Sequence, residues 1–505
     1  MNKGASVVLI LILSLFCLPF TISAGSYSNV AVSEANNLID SNPSLVVLDV
    51  RTQSEYDSGH IRNAKLIPVS ELGGRLNELD KTSEILVYCK SGARSATANQ
   101  ILVDNGFFHI YNMLEGVTAW ISAGYPVYVK YSSIQEAVNN ASEGDTIFVS
   151  SGIYYEHLVL NKTVRLVGED SETTVVYGDG TQTVLKLINR DVNVTRFKIQ
   201  NGTNGVYISD NADFCIINDC DIVNNRIGVF VEDSDSNLIK GNIIFNNSEQ
   251  GIKIFASCDC EPVWENIVTD NELVGNSIGI LLVNSQLGMI YHNYFINNLF
   301  QAYGSGNTAW NKPDKWDNGY PSGGNYWGDY TGDDLDYDGI GDSWYKIDEN
   351  NIDNYPLIGM FSSSNTSYGY IVDFVSNSSI SEFSFNLSKI EVYPPEAILA
   401  FNVSGDNDTD GFLRICIPKI LINGSYVIMF DDEIITNTTY PQVRELPCSN
   451  ETYEYLYINY THSKHAIIIT GTTVIPEFSS FLILPLFMIA ALLAVIVYKR
   501  KHRQR

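Results

Sequence analysis

The sequence predicts a multidomain chain: a small α/β domain, a parallel β-helix, a small β-sandwich and one transmembrane helix. Three observations predict it. Apolar runs alternate with helical spacing over residues 26–130. Short β-rich stretches recur with a period near 23 over residues 131–308. An uncharged run, Phe481–Tyr498, stands directly before a basic tail. At 505 residues the chain is also too long for a single core.

In the first segment, Leu45–Val50 and Ile85–Cys89 are continuous apolar runs, as buried parallel strands require. Ser33–Leu38 and Val69–Leu79 have helical spacing. Ala96–Val103 reads as a helix stopped by Asn105-Gly106. In the second segment, Gly205-Val-Tyr-Ile, Gly228-Val-Phe-Val, Gly251-Ile-Lys-Ile and Gly279-Ile-Leu-Leu are spaced by 23, 23 and 28 residues. A parallel series begins at Asp221, Asn242, Asn271 and Asn293. Such a period predicts stacked coils with apolar residues in the bore and asparagines laddering at the corners. Residues 309–358 form an aromatic, Asp-rich end segment. Residues 365–472 return to short alternating β runs, such as Ile420–Phe430 and Glu454–Tyr460, which predict a β-sandwich.

Both ends read as membrane signals. Lys3 precedes the apolar run Val7–Phe20, followed by Ser23, Ala24 and Gly25, so residues 1–24 are expected to be a signal peptide. Residues 481–498 are long enough to span a bilayer, and the basic residues 499–505 are expected in the cytoplasm. The expected location is the cell membrane, single-pass, with an extracellular ectodomain. Fourteen N-x-S/T sequons, from Asn140 to Asn459, agree with export and glycosylation. The net charge is −27, and the acidic excess lies almost entirely after residue 130. Such a surface repels nucleic acid, which excludes DNA and RNA as partners, and it favours cations.

Ile85-Leu-Val-Tyr-Cys89-Lys-Ser-Gly-Ala-Arg94-Ser95 is the most informative stretch. A strand leads into a short loop that opens on a nucleophile, and a helix follows. Gly92 permits the tight turn, and successive N–H groups can form an anion nest. The helix N-terminus adds its dipole, and Lys90 and Arg94 add full charges. Cys89 is therefore expected to be a thiolate near neutral pH, in a cradle that suits a sulfur oxyanion.

These residues resemble a rhodanese domain. Asp49-Val-Arg51 and Glu55-Tyr-Asp-Ser-Gly-His60-Ile-Arg-Asn-Ala64 are similar to that family's opening motifs. Cys89–Ser95 is similar to its active loop, and Gly116-Val-Thr-Ala-Trp120 with Gly124-Tyr-Pro126 to its closing motif. The resemblance implies transfer of sulfane sulfur from a small donor such as thiosulfate, through a Cys89 persulfide, to a thiol or other thiophilic acceptor. No cofactor is implied. Lys90, Ser91, Gly92, Ala93, Arg94 and Ser95 correspond to the substrate-binding loop. The related phosphatase loop has five residues between Cys and Arg. Here there are four, which favours sulfur over phosphate chemistry. His60 and Asp49 read as structural residues.

Tyr131-Ser-Ser-Ile-Gln-Glu-Ala-Val, Gly144-Asp-Thr-Ile-Phe-Val and Val164-Arg-Leu-Val-Gly168 resemble the opening of a pectin-lyase-like right-handed parallel β-helix. The later coils and Asn325-Tyr-Trp-Gly-Asp resemble the periplasmic copper-binding, carbohydrate-associated branch of that superfamily. The six Met and seven His are spread out, with no soft-ligand cluster for copper. Asp334, Asp336, Asp338 and Asp342 follow D-x-D-x-D-G-x-x-D, a spacing that suits a structural Ca²⁺. Tyr345 stands where an EF-hand has Glu. The C-terminal sandwich resembles membrane-proximal β domains of archaeal surface proteins.

Cys416 and Cys448 are alone in the C-terminal region and can pair as a disulfide. Cys215, Cys220, Cys258 and Cys260 can form two bridges, and Cys89 is left over, as a reactive thiol would be. Three readings follow. The first is an extracytoplasmic sulfurtransferase tethered by a β-helix. The second is a surface polysaccharide-binding β-helix with an accessory rhodanese module. The third is a polysaccharide lyase or hydrolase.

Overall fold

The computed structural model of the chain describes residues 26–210, 212–257, 263–305, 313–387, 396–438 and 440–472. The expected signal peptide, transmembrane span, basic tail, Cys258 and Cys260 lie outside the described residues. Among those described, no helix is long and apolar enough to cross a membrane. The chain divides into two compact units, Met1–Asn237 and Leu238–Arg505.

The first unit opens with a five-stranded parallel sheet. Its strands are β1 (Ser28–Val30), β2 (Val46–Asp49), β3 (Lys65–Leu66), β4 (Ile85–Tyr88) and β5 (Ile110–Met113), in the order β1-β5-β4-β2-β3. The two continuous apolar runs lie side by side at its centre, because a strand covered on both faces must be apolar throughout. Leu48, Ile85, Val87 and Cys89 pack in one cluster with Ala98 and Leu102 of the helix Ala93–Asp104. Val47, Leu86 and Tyr88 point the other way and pack with Ile61 and Trp120. The helical spacing over Val69–Leu79 is interrupted at Gly73-Gly74, leaving Val69–Leu72 and a 3₁₀ turn, Leu76–Glu78.

After the helix Ile134–Asn140, the rest of this unit is coiled into three parallel sheets. The first holds Thr146–Val149, Arg165–Gly168, Asn193–Thr195 and Ile216–Asn218; the other two repeat the pattern. Tyr154, Val176, Ile199 and Ile222 are buried at matching positions on successive coils, filling the bore. Residues 128 and 129 stitch the two parts together. Tyr128 bridges antiparallel to His60, and Val129 bridges parallel to Val149.

The second unit contains further parallel coils and a sandwich. Its corner asparagines form ladders as the spacing predicts. Asn242 Nδ2 donates to Asn271 Oδ1 (2.8 Å), Asn271 to Asn293 (2.9 Å) and Asn293 to Asn325 (3.0 Å). A second ladder runs Asn247–Asn276–Asn298. Tyr326–Trp327 adds a strand beside Tyr294–Ile296, so coil pairing continues into the aromatic segment. Two five-stranded antiparallel sheets then share one core. Phe374 and Ile415 come from one sheet, and Phe401, Phe430 and Ile467 from the other.

The expected Cys416–Cys448 disulfide is not formed; both are free thiols. Cys416 sits in the strand Asp410–Pro418 opposite Tyr455, and its sulfur meets the Tyr455 phenol. Cys215 and Cys220 are buried in the β-helix.

Candidate functional site

Cys89 follows β4 directly, and its side chain is 1% exposed. The loop turns at Gly92, whose φ of 97° lies in the left-handed region that glycine tolerates. The turn brings Gly92 N–H to 3.1 Å from Cys89 Sγ. Burial pushes the thiol pKa up. The N–H groups of Ser95, Ser91 and Gly92, with the Ser95 hydroxyl, outweigh burial and leave the thiol below its ordinary value. While Cys89 is protonated the Ser95 hydroxyl instead donates to Gly92 O at 3.0 Å, which fixes the turn. Lys90, Ser91 and Ala93 are exposed and form the rim; Ser95 is buried beneath it.

The closing motif supports this loop from below. Val117 N–H donates to Cys89 O (2.8 Å), and Thr118 donates to Lys90 O through its N–H (3.1 Å) and its hydroxyl (2.8 Å). Gly116 has φ of 61°, and a Cβ there would lie 2.3 Å from Cys89 O. No other residue fits.

Arg94 departs from the expected arrangement. Its guanidinium does not point its donors at the sulfur. Nη1 and Nη2 each donate to Glu55 at 2.7 Å, a bidentate pair at the mouth of the loop. Arg94 pulls the Glu55 carboxyl down to about 2. The charge still acts on Cys89 through space. Glu55 is held by the helix Gln53–Asp57, whose capping box joins Thr52 and Glu55. Glu55 belongs to the opening motif, and its role at the site arises only in the fold. Nothing local in the sequence points it at a residue 39 positions on.

Asp49 and Arg51 form a buried ion pair at 2.6 Å beneath the site, and Arg51 also donates to Gly59 O. His60 is buried, stacked on Tyr56 with ring centroids 3.6 Å apart. Both are remote from a catalytic base's task and hold the scaffold.

In the second unit, Asp334, Asp336 and Asp338 bring carboxylate oxygens within 4.8 Å of one another. Asp342 is not in this group. Its Oδ2 accepts the Leu335 N–H at 2.5 Å. Asp334 accepts from Asp338 and Gly339 N–H, and burial raises its pKa to about 6.

Residues 31–123 match the rhodanese-like domain family, and residues 97–332 match the family described as periplasmic copper-binding protein (NosD). A sulfurtransferase of Allochromatium vinosum is 34% identical over 83 residues, 16% of this chain and 78% of that protein. Thiosulfate sulfurtransferase GlpE of Coxiella burnetii is 33% identical over 94 residues, 19% of this chain and 87% of its own length. YrkF of Bacillus subtilis is 35% identical over 98 residues, 19% of this chain, and the chain spans only 53% of that protein. A solved rhodanese-related protein from Thermoplasma volcanium is 33% identical, covering 21% of this chain and all of its own, with a TM-score of 0.19. Through its N-terminal domain the chain belongs to the rhodanese-like family. That domain is fused to a NosD-type parallel β-helix.

The NosD description raises copper. His157 faces Thr183 O and Asp179, and His292 is buried and stacked on Phe361. Among the described residues, the one group of three or more potential ligands is the hard-oxygen Asp334–Asp336–Asp338 set. These donors do not fit a copper ion, which prefers imidazole and sulfur.

Proposed function

We propose that this chain is an extracytoplasmic sulfurtransferase that carries sulfane sulfur on Cys89. The observation that carries the reading is the Cys89 thiol held below its ordinary pKa by converging N–H donors at a helix start. The thiolate attacks the outer sulfur of a thiosulfate-like donor. A bond forms between Cys89 Sγ and that sulfur, the donor's S–S bond breaks, and sulfite leaves with the electron pair. A thiolate or cyanide acceptor then attacks the persulfide's outer sulfur and releases the Cys89 thiolate. The same N–H donors that lower the thiol pKa stabilise the anion at both ends of the cycle. Ser91, Gly92 and Ala93 frame the donor, and Lys90 and Arg94 favour an anionic one.

The NosD match and the signals at both chain ends support a location outside the cytoplasm, with 481–498 as a membrane anchor. A second reading, surface polysaccharide binding by the β-helix, is favoured by an outward column on successive coils. Lys186, Tyr207 and Phe230 stand at matching positions there, with Tyr207 and Phe230 rings 5.4 Å apart. Such a column offers stacking surface at a regular spacing.

Thiosulfate:cyanide sulfurtransfer by the full chain tests the first reading. Activity is expected with Cys89 and none with Cys89→Ser, since a hydroxyl cannot form the persulfide. Mass spectrometry after thiosulfate treatment is expected to find one added sulfur on the Cys89 peptide. Equal activity in the serine variant overturns the reading.

A further inference from the structure

The rhodanese-like domain and the first coils of the β-helix enclose a cavity of about 560 Å³. Val47, Ile61 and Trp120 line it, and these belong to the cluster on the sheet face opposite Cys89. Cys89 and its loop contribute nothing to the walls. The cavity is thus a separate feature, of the size that holds a small organic molecule.

Its walls have a distinct chemistry. One side is apolar, with Ile61, Trp120 and Phe148. Another carries two arginines from different parts of the chain, Arg62 of the rhodanese-like domain and Arg196 of a β-helix turn. Arg62 Nε donates to Glu169 O at 3.1 Å, and Arg196 Nη2 donates to Tyr128 Oη at 2.8 Å. Arg196 Nε is buried without a hydrogen-bond partner. Both guanidinium groups act on the same phenol. Burial raises the Tyr128 pKa, and Arg196 and Arg62 pull against it. Both arginines line the same cavity. The one carboxylate that lines the cavity, Asp40, is exposed and accepts from Asn36 Nδ2. Among the lining residues the two arginines outnumber that carboxylate, and the Glu169 carboxylate behind the wall is taken up by His60, Asn63 and Ser151.

A planar guanidinium fork matches the two oxygens of a carboxylate, phosphate or sulfate. Two forks beside an apolar wall match such a head on a small apolar body. We propose that this junction cavity is a binding site for a small organic oxyanion, gripped by Arg62 and Arg196 together. Its ligand would touch both the rhodanese-like domain and the β-helix, and would bind the first unit as one body.

Calorimetric titration of the full-length chain tests this with charged and neutral probe pairs. The pairs are benzoate with benzamide, phenyl phosphate with phenol, and glucuronate with glucose. At least one anion is expected to bind one-to-one, at least tenfold tighter than its neutral counterpart. The double variant Arg62→Gln/Arg196→Gln is expected to erase that difference, while Cys89→Ser leaves it intact. Failure of every anion to bind overturns the proposal. So does unchanged binding in the double variant, which assigns the anion to another site such as the Cys89 loop. Should the double variant not fold, crystals of the unsubstituted chain soaked with the tightest probe decide the matter. Density between Arg62 and Arg196 supports the site, and density elsewhere or none overturns it.

Discussion

Glu169 of the β-helix meets His60 of the rhodanese-like domain, with both carboxylate oxygens 3.1 Å from His60 Nε2 and both residues buried. The same carboxylate accepts from Asn63 N–H (2.7 Å) and Ser151 N–H (2.9 Å). One side chain thus satisfies groups from both parts of the unit. His60 in turn stacks on Tyr56, the neighbour of Glu55, which clamps Arg94. The β-helix is therefore packed into the support of the Cys89 loop.

Replacing Glu169 by Gln leaves the two N–H donors only one carbonyl oxygen to share and removes the charge facing His60. Breaking a buried pair from one side costs about 3–5 kcal/mol. The Glu169 pKa is lowered; burial works against this, and His60 and the N–H donors overcome it. A lowered carboxylate pKa means stability that is present above the unfolded value and lost as pH falls through the folded one. Urea denaturation at pH 7 is expected to show the loss in Glu169→Gln. The gap from the unsubstituted chain is expected to narrow in acid. An unchanged midpoint at pH 7 would show the contact to be idle.

The thiols should separate by reactivity. Cys89 lies below its ordinary value, whereas burial pushes Cys215 and Cys220 up to about 12 and Cys416 up to about 11. Brief iodoacetamide treatment of the native chain near pH 7 is expected to alkylate Cys89 first, because the thiolate is the nucleophile. Thiosulfate added beforehand is expected to protect it. Peptide mapping reads both. Preferential labelling of Cys416 would contradict the assignment.

The Glu55–Arg94 pair sets the charge at the mouth of the loop. Glu55→Gln keeps the side chain's shape and releases the Arg94 charge toward an anionic donor. KM for thiosulfate is expected to fall several-fold with kcat little changed, since the change acts on donor binding. Arg94→Ala is expected to raise KM by tenfold or more. Steady-state kinetics at fixed cyanide checks both. Equal KM values in all three proteins would leave the pair a merely structural clamp.

What the sequence disclosed follows from how far apart the interacting residues lie. The Cys89 cradle was legible because strand, loop, Gly92 and helix start are contiguous, so backbone geometry alone aims the N–H groups. The asparagine ladders were legible because one coil spacing repeats. Glu55 reaches Arg94 across 39 positions and Glu169 reaches His60 across 109, and no local pattern encodes either. Asp342 has the spacing of a metal loop, but its carboxylate is not among the clustered Asp334, Asp336 and Asp338 oxygens and accepts the Leu335 N–H. Cys416 and Cys448 share a region without sharing a bond, because cross-strand register puts Tyr455 opposite Cys416.

The acidic loop of the second unit makes a calcium prediction on three carboxylates. Asp334, Asp336 and Asp338 offer clustered oxygens. Arg444 Nη2 donates to Asp336 O (2.6 Å) and Tyr337 O (2.8 Å), which presets the loop and also places a cation nearby. Modest affinity is therefore expected. Calcium at a hundredfold excess over its dissociation constant would add about 2.7 kcal/mol, seen as a rise in Tm. Asp336→Asn with Asp338→Asn is expected to remove it, and Mg²⁺ at equal ionic strength controls for screening. Identical melting with chelator, Mg²⁺ and Ca²⁺ would leave the loop an ordinary acidic turn.

Asp353 ends one asparagine ladder and gives the second unit a pH dependence of its own. Its Oδ2 accepts from Asn325 N–H (2.7 Å) and Trp327 Nε1–H (2.9 Å), and its Oδ1 from Tyr355 N–H (3.0 Å). The side chain is fully buried, and Gly324 passes so close that a Cβ there would lie 1.9 Å from Oδ1. Burial raises the Asp353 pKa to about 7, because three N–H donors offset only part of the lost hydration. The sign follows from linkage. A carboxyl raised above its unfolded value near 3.8 binds its proton more tightly when folded. Its contribution is complete below that value and is lost as pH rises through about 7. Asp353→Asn keeps an acceptor for the ladder and cannot ionise. Guanidinium denaturation between pH 4 and 8 is expected to show stability falling with pH in the unsubstituted chain, by a few kcal/mol, and falling less in Asp353→Asn. Asp314 and Asp334 are also raised, each to about 6, so part of the slope should survive the substitution. Superimposable pH profiles for the two proteins would mean that Asp353 holds its proton no more tightly folded than unfolded, so that the ladder ends on a carboxylate over this range.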